Sequence, residues 1–106
     1  MHRLLNAQLE ASRDKLRVLC RKYDVSRLDL FGSAARDDWR PDGSDLDFIV
    51  TFRPDPGRSL ADRFLGLAEE LESLFGRPVD LLTERSIRNP YFRRGVDASR
   101  ASVYAE

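Results

Sequence analysis

The sequence predicts a small α/β (α+β) fold, a mixed sheet with helices packed on one face. Three observations carry this reading. Short runs rich in branched and aromatic residues (Val25–Phe31, Leu46–Phe52, Val79–Thr83) alternate with segments of helical periodicity. The helical segment after the second strand is bracketed by a capping serine, Ser59, and by a Gly76-x-Pro78 stop. The length of 106 residues suits one hydrophobic core and leaves little room for a separate substrate domain, so residues 1–106 are read as a single domain.

The elements follow in order. Residues 3–23 read as one helix, with Leu5, Leu9, Leu16, Leu19, Cys20 and Tyr23 along one stripe and charges between them. The first strand covers 25–31 and is broken by Gly32-Ser33. A short helical turn over Ala34–Trp39 follows, and Arg40-Pro41-Asp42-Gly43 is turn chemistry. The strand 46–52 alternates Phe48, Val50 and Phe52 on one face with Asp47, Ile49 and Thr51 on the other. Pro54, Pro56 and Gly57 make a loop within the domain rather than a linker. Ser59, with Asp62 three residues on, opens a helix that carries Leu60, Phe64, Leu67, Leu71, Leu74 and Phe75 inward. A third strand spans 79–83. Residues 86–100 read as helix in two pieces broken near Asn89-Pro90, and 101–104 as a last short strand.

Composition excludes several function classes. The 18 basic and 18 acidic residues balance, so direct nucleic-acid binding is not expected; that calls for a basic excess on one face. Apolar residues make 42% of the chain and charged residues 34%, the mix of an ordinary globular protein. No apolar run reaches membrane-spanning length, and the start Met1-His2-Arg3-Leu4-Leu5-Asn6 lacks a signal-peptide core, so no membrane partner and a cytoplasmic location are expected. Cys20 is the single cysteine, which leaves no internal disulfide or cysteine cluster, and its helical apolar position marks it as core. His2 is the single histidine, at the chain end, which argues against a serine–histidine or cysteine–histidine hydrolase.

Two short motifs point to phosphate chemistry. Gly32-Ser33 directly follows an apolar strand. Glycine lets a ligand approach the backbone, a following helical turn aims N–H groups at an anion, and Ser33 adds a hydroxyl donor. Alone, the pair is also what an ordinary turn contains. Asp45-Leu46-Asp47 stands at the mouth of the clearest strand. Residues i and i+2 share a face there, with Cα atoms roughly 6.5–7 Å apart, and two such carboxylates can bridge hard divalent cations. Two solvated acids at a strand end would look the same. Asp80 changes the balance, because an acid flanked by Val79, Leu81 and Leu82 is out of place unless something pairs it. If its strand lies beside the other two, three carboxylates converge near a phosphate cradle, as two-metal phosphoryl or nucleotidyl transfer requires.

Leu30-Phe31-Gly32-Ser33-Ala34-Ala35-Arg36, followed by Gly43-Ser44-Asp45-Leu46-Asp47-Phe48-Ile49-Val50, resembles the signature of the DNA polymerase β nucleotidyltransferase superfamily. The branch it is most similar to is the minimal nucleotidyltransferases (MNT), antitoxins encoded beside HEPN-domain toxins. Val79-Asp80-Leu81-Leu82-Thr83 and Ile87-Arg88-Asn89-Pro90-Tyr91-Phe92 resemble that branch too. The resemblance implies that Gly32 and Ser33 bind a triphosphate through backbone N–H and hydroxyl. It implies that Asp45 and Asp47 hold two Mg²⁺ ions, and that Asp80 holds the catalytic metal and helps deprotonate the attacking hydroxyl. Arg36 would steady the phosphates or the acidic loop, or be a surface arginine. It further implies ATP as substrate and a tyrosine of a HEPN toxin as the AMP acceptor. One departure stands out: the residue after Arg36 is often glycine in the family and here is Asp37. With Asp38 it adds negative charge beside the phosphate site or faces solvent.

Two other functions fit the same residues. A non-catalytic module could neutralise its partner by masking, using Pro90-Tyr91-Phe92-Arg93-Arg94 as an interface; those aromatics could equally pack a helix on the sheet. A drug-modifying nucleotidyltransferase is disfavoured by the short chain, which leaves few residues for a small-molecule pocket.

Overall fold

The computed structural model describes residues 1–36, 38–55 and 57–106. Helices α1 (Arg3–Ala11) and α2 (Arg13–Lys22) precede strand β1 (Val25–Phe31). A 3-10 turn over Gly32–Ala35 leads through a loop to β2 (Leu46–Phe52). Helix α3 (Leu60–Phe75) crosses to β3 (Val79–Thr83), a 3-10 turn over Glu84–Ser86 follows, and α4 (Pro90–Ser99) ends in β4 (Ala101–Ala105). The strands lie in the order β3-β2-β1-β4. β1 is antiparallel to both β2 and β4, while β2 and β3 run parallel. Parallel neighbours need a crossover, and α3 supplies it.

Strand alternation sends side chains to two cores. Leu28, Leu30, Phe48 and Val50 meet Leu5, Leu16, Leu19, Cys20, Leu67 and Leu71 from α1–α3. Phe31 and Ile49, on the opposite face, meet Val96 of α4, with Leu82 and Ile87 packed against them. The expectation of helices on one face is therefore corrected: α4 covers part of the second face. Its apolar contribution is short, and fully buried Asp29 shares that face, so no long hydrophobic stripe betrayed it.

Other differences have local causes. The single helix expected over 3–23 is two helices meeting at Ser12, which leaves the helical region (ψ 4°) while its carbonyl still accepts from Leu16 N–H at 2.8 Å. Serine competes locally with the helical ladder and tolerates such a bend. The turn expected over 34–39 begins earlier, at Gly32, and closes by Arg36, which is extended. Trp39 is buried instead in a cluster, edge-on to His2 and under Arg77. Ser59 caps α3 as expected, its hydroxyl accepting from Asp62 N–H at 3.3 Å, and Gly76 ends the helix in the left-handed conformation. Leu60, however, is 53% exposed rather than inward. The buried line of α3 runs Arg63, Leu67, Leu71, Phe75 at i, i+4 spacing, so the position facing the sheet in the first turn belongs to an arginine. Cys20 is core, and burial pushes its thiol up to about 12, far from thiolate chemistry. Among the described residues no helix is long and apolar enough to cross a membrane.

Candidate active site

The parallel register of β2 and β3 sets Asp47 directly beside Asp80. Leu46 N–H donates to Pro78 O at 3.2 Å just before that pairing, which fixes the two strand starts together. Asp47 is half-buried, on the face that carries Phe31 and Ile49. Its carboxyl is pushed up to about 6, first by burial, then by the charge of Asp80, a side-chain hydrogen bond with Asp80, and the charge of Asp45; Arg36 pulls slightly the other way. A bound cation would relieve the repulsion between two carboxyls so placed.

Of the three acids read from the sequence, the fold brings Asp47 and Asp80 into contact. Asp45 is exposed at the mouth of β2 and acts on Asp47 through its charge. Among the described residues no three acid side chains already stand as one ligand cluster, so the expected convergence is a pair with a third carboxylate beside it. The donor chemistry fits a divalent cation. All donors are hard oxygens, the two nearest repel without an ion, and a cation such as Mg²⁺ takes one or two carboxylates and completes its shell with water and substrate phosphates.

Gly32 meets this pair from β1. Its φ is +66°, and a Cβ at that position would lie 2.8 Å from Asp47 Oδ2. The backbone turn and the close approach thus both require glycine. Its N–H, which the resemblance assigned to a phosphate, donates to Ser99 Oγ at 3.0 Å. The α4 hydroxyl of Ser99 accepts this bond and in turn donates to Gly95 O at 3.0 Å. Ser33 is half-buried in the 3-10 turn and closes it by accepting Arg36 N–H at 3.1 Å. Arg36 is exposed and forks onto Asp38, with contacts of 3.2 and 3.3 Å. Asp38 is thereby held below the usual carboxylate range, and its charge is offset locally. Asp37 lies outside the described residues.

Three supports went unread in the sequence. Ser99 anchors Gly32. Arg77, just past α3, donates to Ser44 O at 3.1 Å and Pro41 O at 3.1 Å and stacks on Trp39, so it fixes the loop that delivers Asp45. Arg100 binds fully buried Asp29 at 2.8 Å and Glu84 at 2.9 Å, which ties the end of α4 to β1 and to the turn after β3. Asp29 carried the signal that exposed Asp80, an acid inside an apolar run, Leu28-Asp29-Leu30-Phe31.

A model of the nucleotidyltransferase domain matches residues 13–101. The chain belongs to the nucleotidyltransferase family. Two proteins of Methanocaldococcus jannaschii, both named provisionally as protein adenylyltransferases, are similar to this nucleotidyltransferase. One is 38% identical over 83% of this chain and 86% of its own length. The other is 33% identical over 76% and 79%. A solved structure described provisionally as a minimal nucleotidyltransferase superposes with a TM-score of 0.69 and 37% identity, covering 95% of each chain. A structure of a tri-AMPylated Shewanella oneidensis HEPN toxin in complex with MNT antitoxin shares the fold. Its TM-score is 0.59 and identity 20%, over 92% of this chain and 73% of that one. The α/β nucleotidyltransferase fold and the enzyme class expected from the signature residues are thus both met.

Proposed function

We propose that this nucleotidyltransferase is an Mg²⁺-dependent protein adenylyltransferase that transfers AMP from ATP to a tyrosine of a cognate HEPN toxin, and so acts as its antitoxin. The observation that carries the reading is the Asp47–Asp80 pair in parallel register, backed by a glycine that only a missing side chain permits. The M. jannaschii relatives named for protein adenylylation, and the MNT–HEPN complex of like fold, support a protein acceptor and a HEPN partner.

In this reading Asp47 and Asp80, with Asp45 beside them, hold the Mg²⁺ ions, which when bound neutralise charge on the phosphates. Ser33 offers its hydroxyl to the triphosphate, and Arg36 swings from Asp38 to meet it. The tyrosine oxygen attacks the α-phosphorus, the new O–P bond forms as the bond to pyrophosphate breaks, and Asp80 takes the hydroxyl proton. The chain's contribution is positioning and charge screening, the usual division of labour in phosphate transfer.

The test is incubation with labelled ATP, Mg²⁺ and the HEPN protein encoded beside this chain. Label on a toxin tyrosine, lost in Asp47→Asn and without Mg²⁺, is the expected result. No label with wild type refutes the transfer. Rescue of growth by an Asp45→Asn, Asp47→Asn double variant would favour masking. Tyr91 is 79% exposed on α4 and open to such a contact, whereas Arg93 is engaged by Glu84.

A further inference from the structure

Arg63 is a buried cation that forms no ion pair among the described residues. It lies in the first turn of α3, is 4% exposed, and faces the sheet where the helical stripe calls for an apolar residue. Its Nη1 donates to Arg53 O at 2.8 Å, and its guanidinium sits 5.0 Å from the centre of the Phe52 ring. Its Nε has no partner, and among the described residues no carboxylate pairs with it. A carbonyl and an aromatic face ease a buried guanidinium but supply no negative charge, and uncompensated burial of charge is costly.

Arg63 lines a cavity of about 290 Å³ at the far ends of β2 and β3, together with Thr51, Thr83 and Arg85. Arg85 is exposed and makes no ion pair among the described residues. Glu84 also lines the cavity but is already bound by Arg93 and Arg100, and Arg53 is paired with Glu106. The uncommitted charge in the cavity is therefore positive, carried by the guanidinium groups of Arg63 and Arg85. Val50 and Thr83, at its floor, stand three register positions from Asp47 and Asp80, roughly 10 Å along the strands. Phe52 belongs to the α1–α3 side of the sheet, whereas Asp47 shares the α4 side with Ile49. The cavity lies at the opposite end of the paired strands from the two aspartates.

We infer that this cavity is a second ligand site, one that takes a phosphate-class oxyanion between Arg63 and Arg85. An anion there gives Arg63 the charge partner its surroundings lack. Arginine forks suit tetrahedral oxyanions, which accept several N–H donors at once.

The test uses the whole ¹⁵N-labelled chain, titrated with inorganic phosphate at constant ionic strength, with no Mg²⁺ and no nucleotide. Saturable shifts at Arg63 Nε–H and at the amides of Thr51, Thr83 and Arg85 are expected, with a rise in Tm. Arg85→Ala, at an exposed position, should keep the fold and weaken phosphate about tenfold or more, the worth of a charge-assisted bond. Arg63→Met should remove the response and preserve packing volume. Shifts that merely follow ionic strength, or an unchanged response in Arg85→Ala, overturn the inference whatever happens to Arg63→Met. Shifts confined to Gly32 and Ser33 overturn it too while leaving the adenylyltransferase reading intact, since toxin labelling is scored separately.

Discussion

Two acids on the α4 side of the sheet stand in opposite company. Asp29 is fully buried and held by cations, Arg27 at 3.0 Å and Arg100 at 2.8 Å, and Arg100 also binds Glu84. Asp47, one strand over, is half-buried and faces another acid. Glu84 is driven down to about 2, chiefly by its hydrogen bond to Arg100, while Asp47 is driven up to about 6 by burial and Asp80. The contrast separates two uses of buried charge. Where a carboxylate holds the fold together, the chain supplies its own cation. Where two carboxylates are pressed together without one, the proposed function gives that place to Mg²⁺.

The largest expected effect tests the second half of that contrast. Asp47→Asn should lower adenylyl transfer by on the order of a thousandfold, because several kcal/mol of charge stabilisation are lost. The same change should leave Tm unchanged or raise it without Mg²⁺, since it relieves a repulsion; a clear fall in Tm would make Asp47 structural. Next comes Arg100→Met, which leaves Asp29 buried with Arg27 as its one remaining cation. A loss of about 3 kcal/mol in urea unfolding is expected, the low end for breaking a buried pair. Adding Asp29→Leu should recover much of it, and no recovery would mean the arginine acts through packing alone. Gly32→Ala forces a Cβ to 2.8 Å from Asp47 Oδ2 at a φ of +66°. It should cost about 1–3 kcal/mol and disturb the aspartate pair, read as weaker stabilisation by ATP with Mg²⁺.

The smallest effect is a pH dependence. The folded value of Glu84, about 2, lies below its ordinary 4.5. The folded state therefore binds fewer protons than the unfolded chain between those values, and stability falls as pH drops through that window. Glu84→Gln should lower Tm most above about pH 5, where the ionised carboxylate stabilises the fold, and flatten the acid limb below it in a Tm-versus-pH series. An unaltered limb would place the acid sensitivity elsewhere.

The sequence disclosed what is periodic or locally odd. β1, β2, β3 and α3 were readable from alternation and caps. Asp47 and Asp80 were readable because acids sat among Val, Leu, Ile and Phe. What stayed hidden depends on partners far along the chain. Ser99 is an ordinary helix-terminal serine until Gly32 folds beneath it, and Arg77 is a surface arginine until Trp39 slides under it. Arg63 occupied a stripe position in a helix whose inward residues were picked by hydrophobicity, so Leu60 was chosen in its place. Asp29 offered the same clue as Asp80, yet its meaning needed Arg100 from the far side of α4.

The strand order has a consequence for the size of what can be modified. β3 closes one side of the sheet, and no strand lies beyond it among the described residues. Asp80 is therefore exposed at a rim, not sunk in a cleft. A rim of this kind sets no upper limit on the bulk of an incoming molecule and offers few walls to grip a small one. A folded polypeptide with a projecting side chain, the acceptor of the proposed function, brings its own surface to such a doorway.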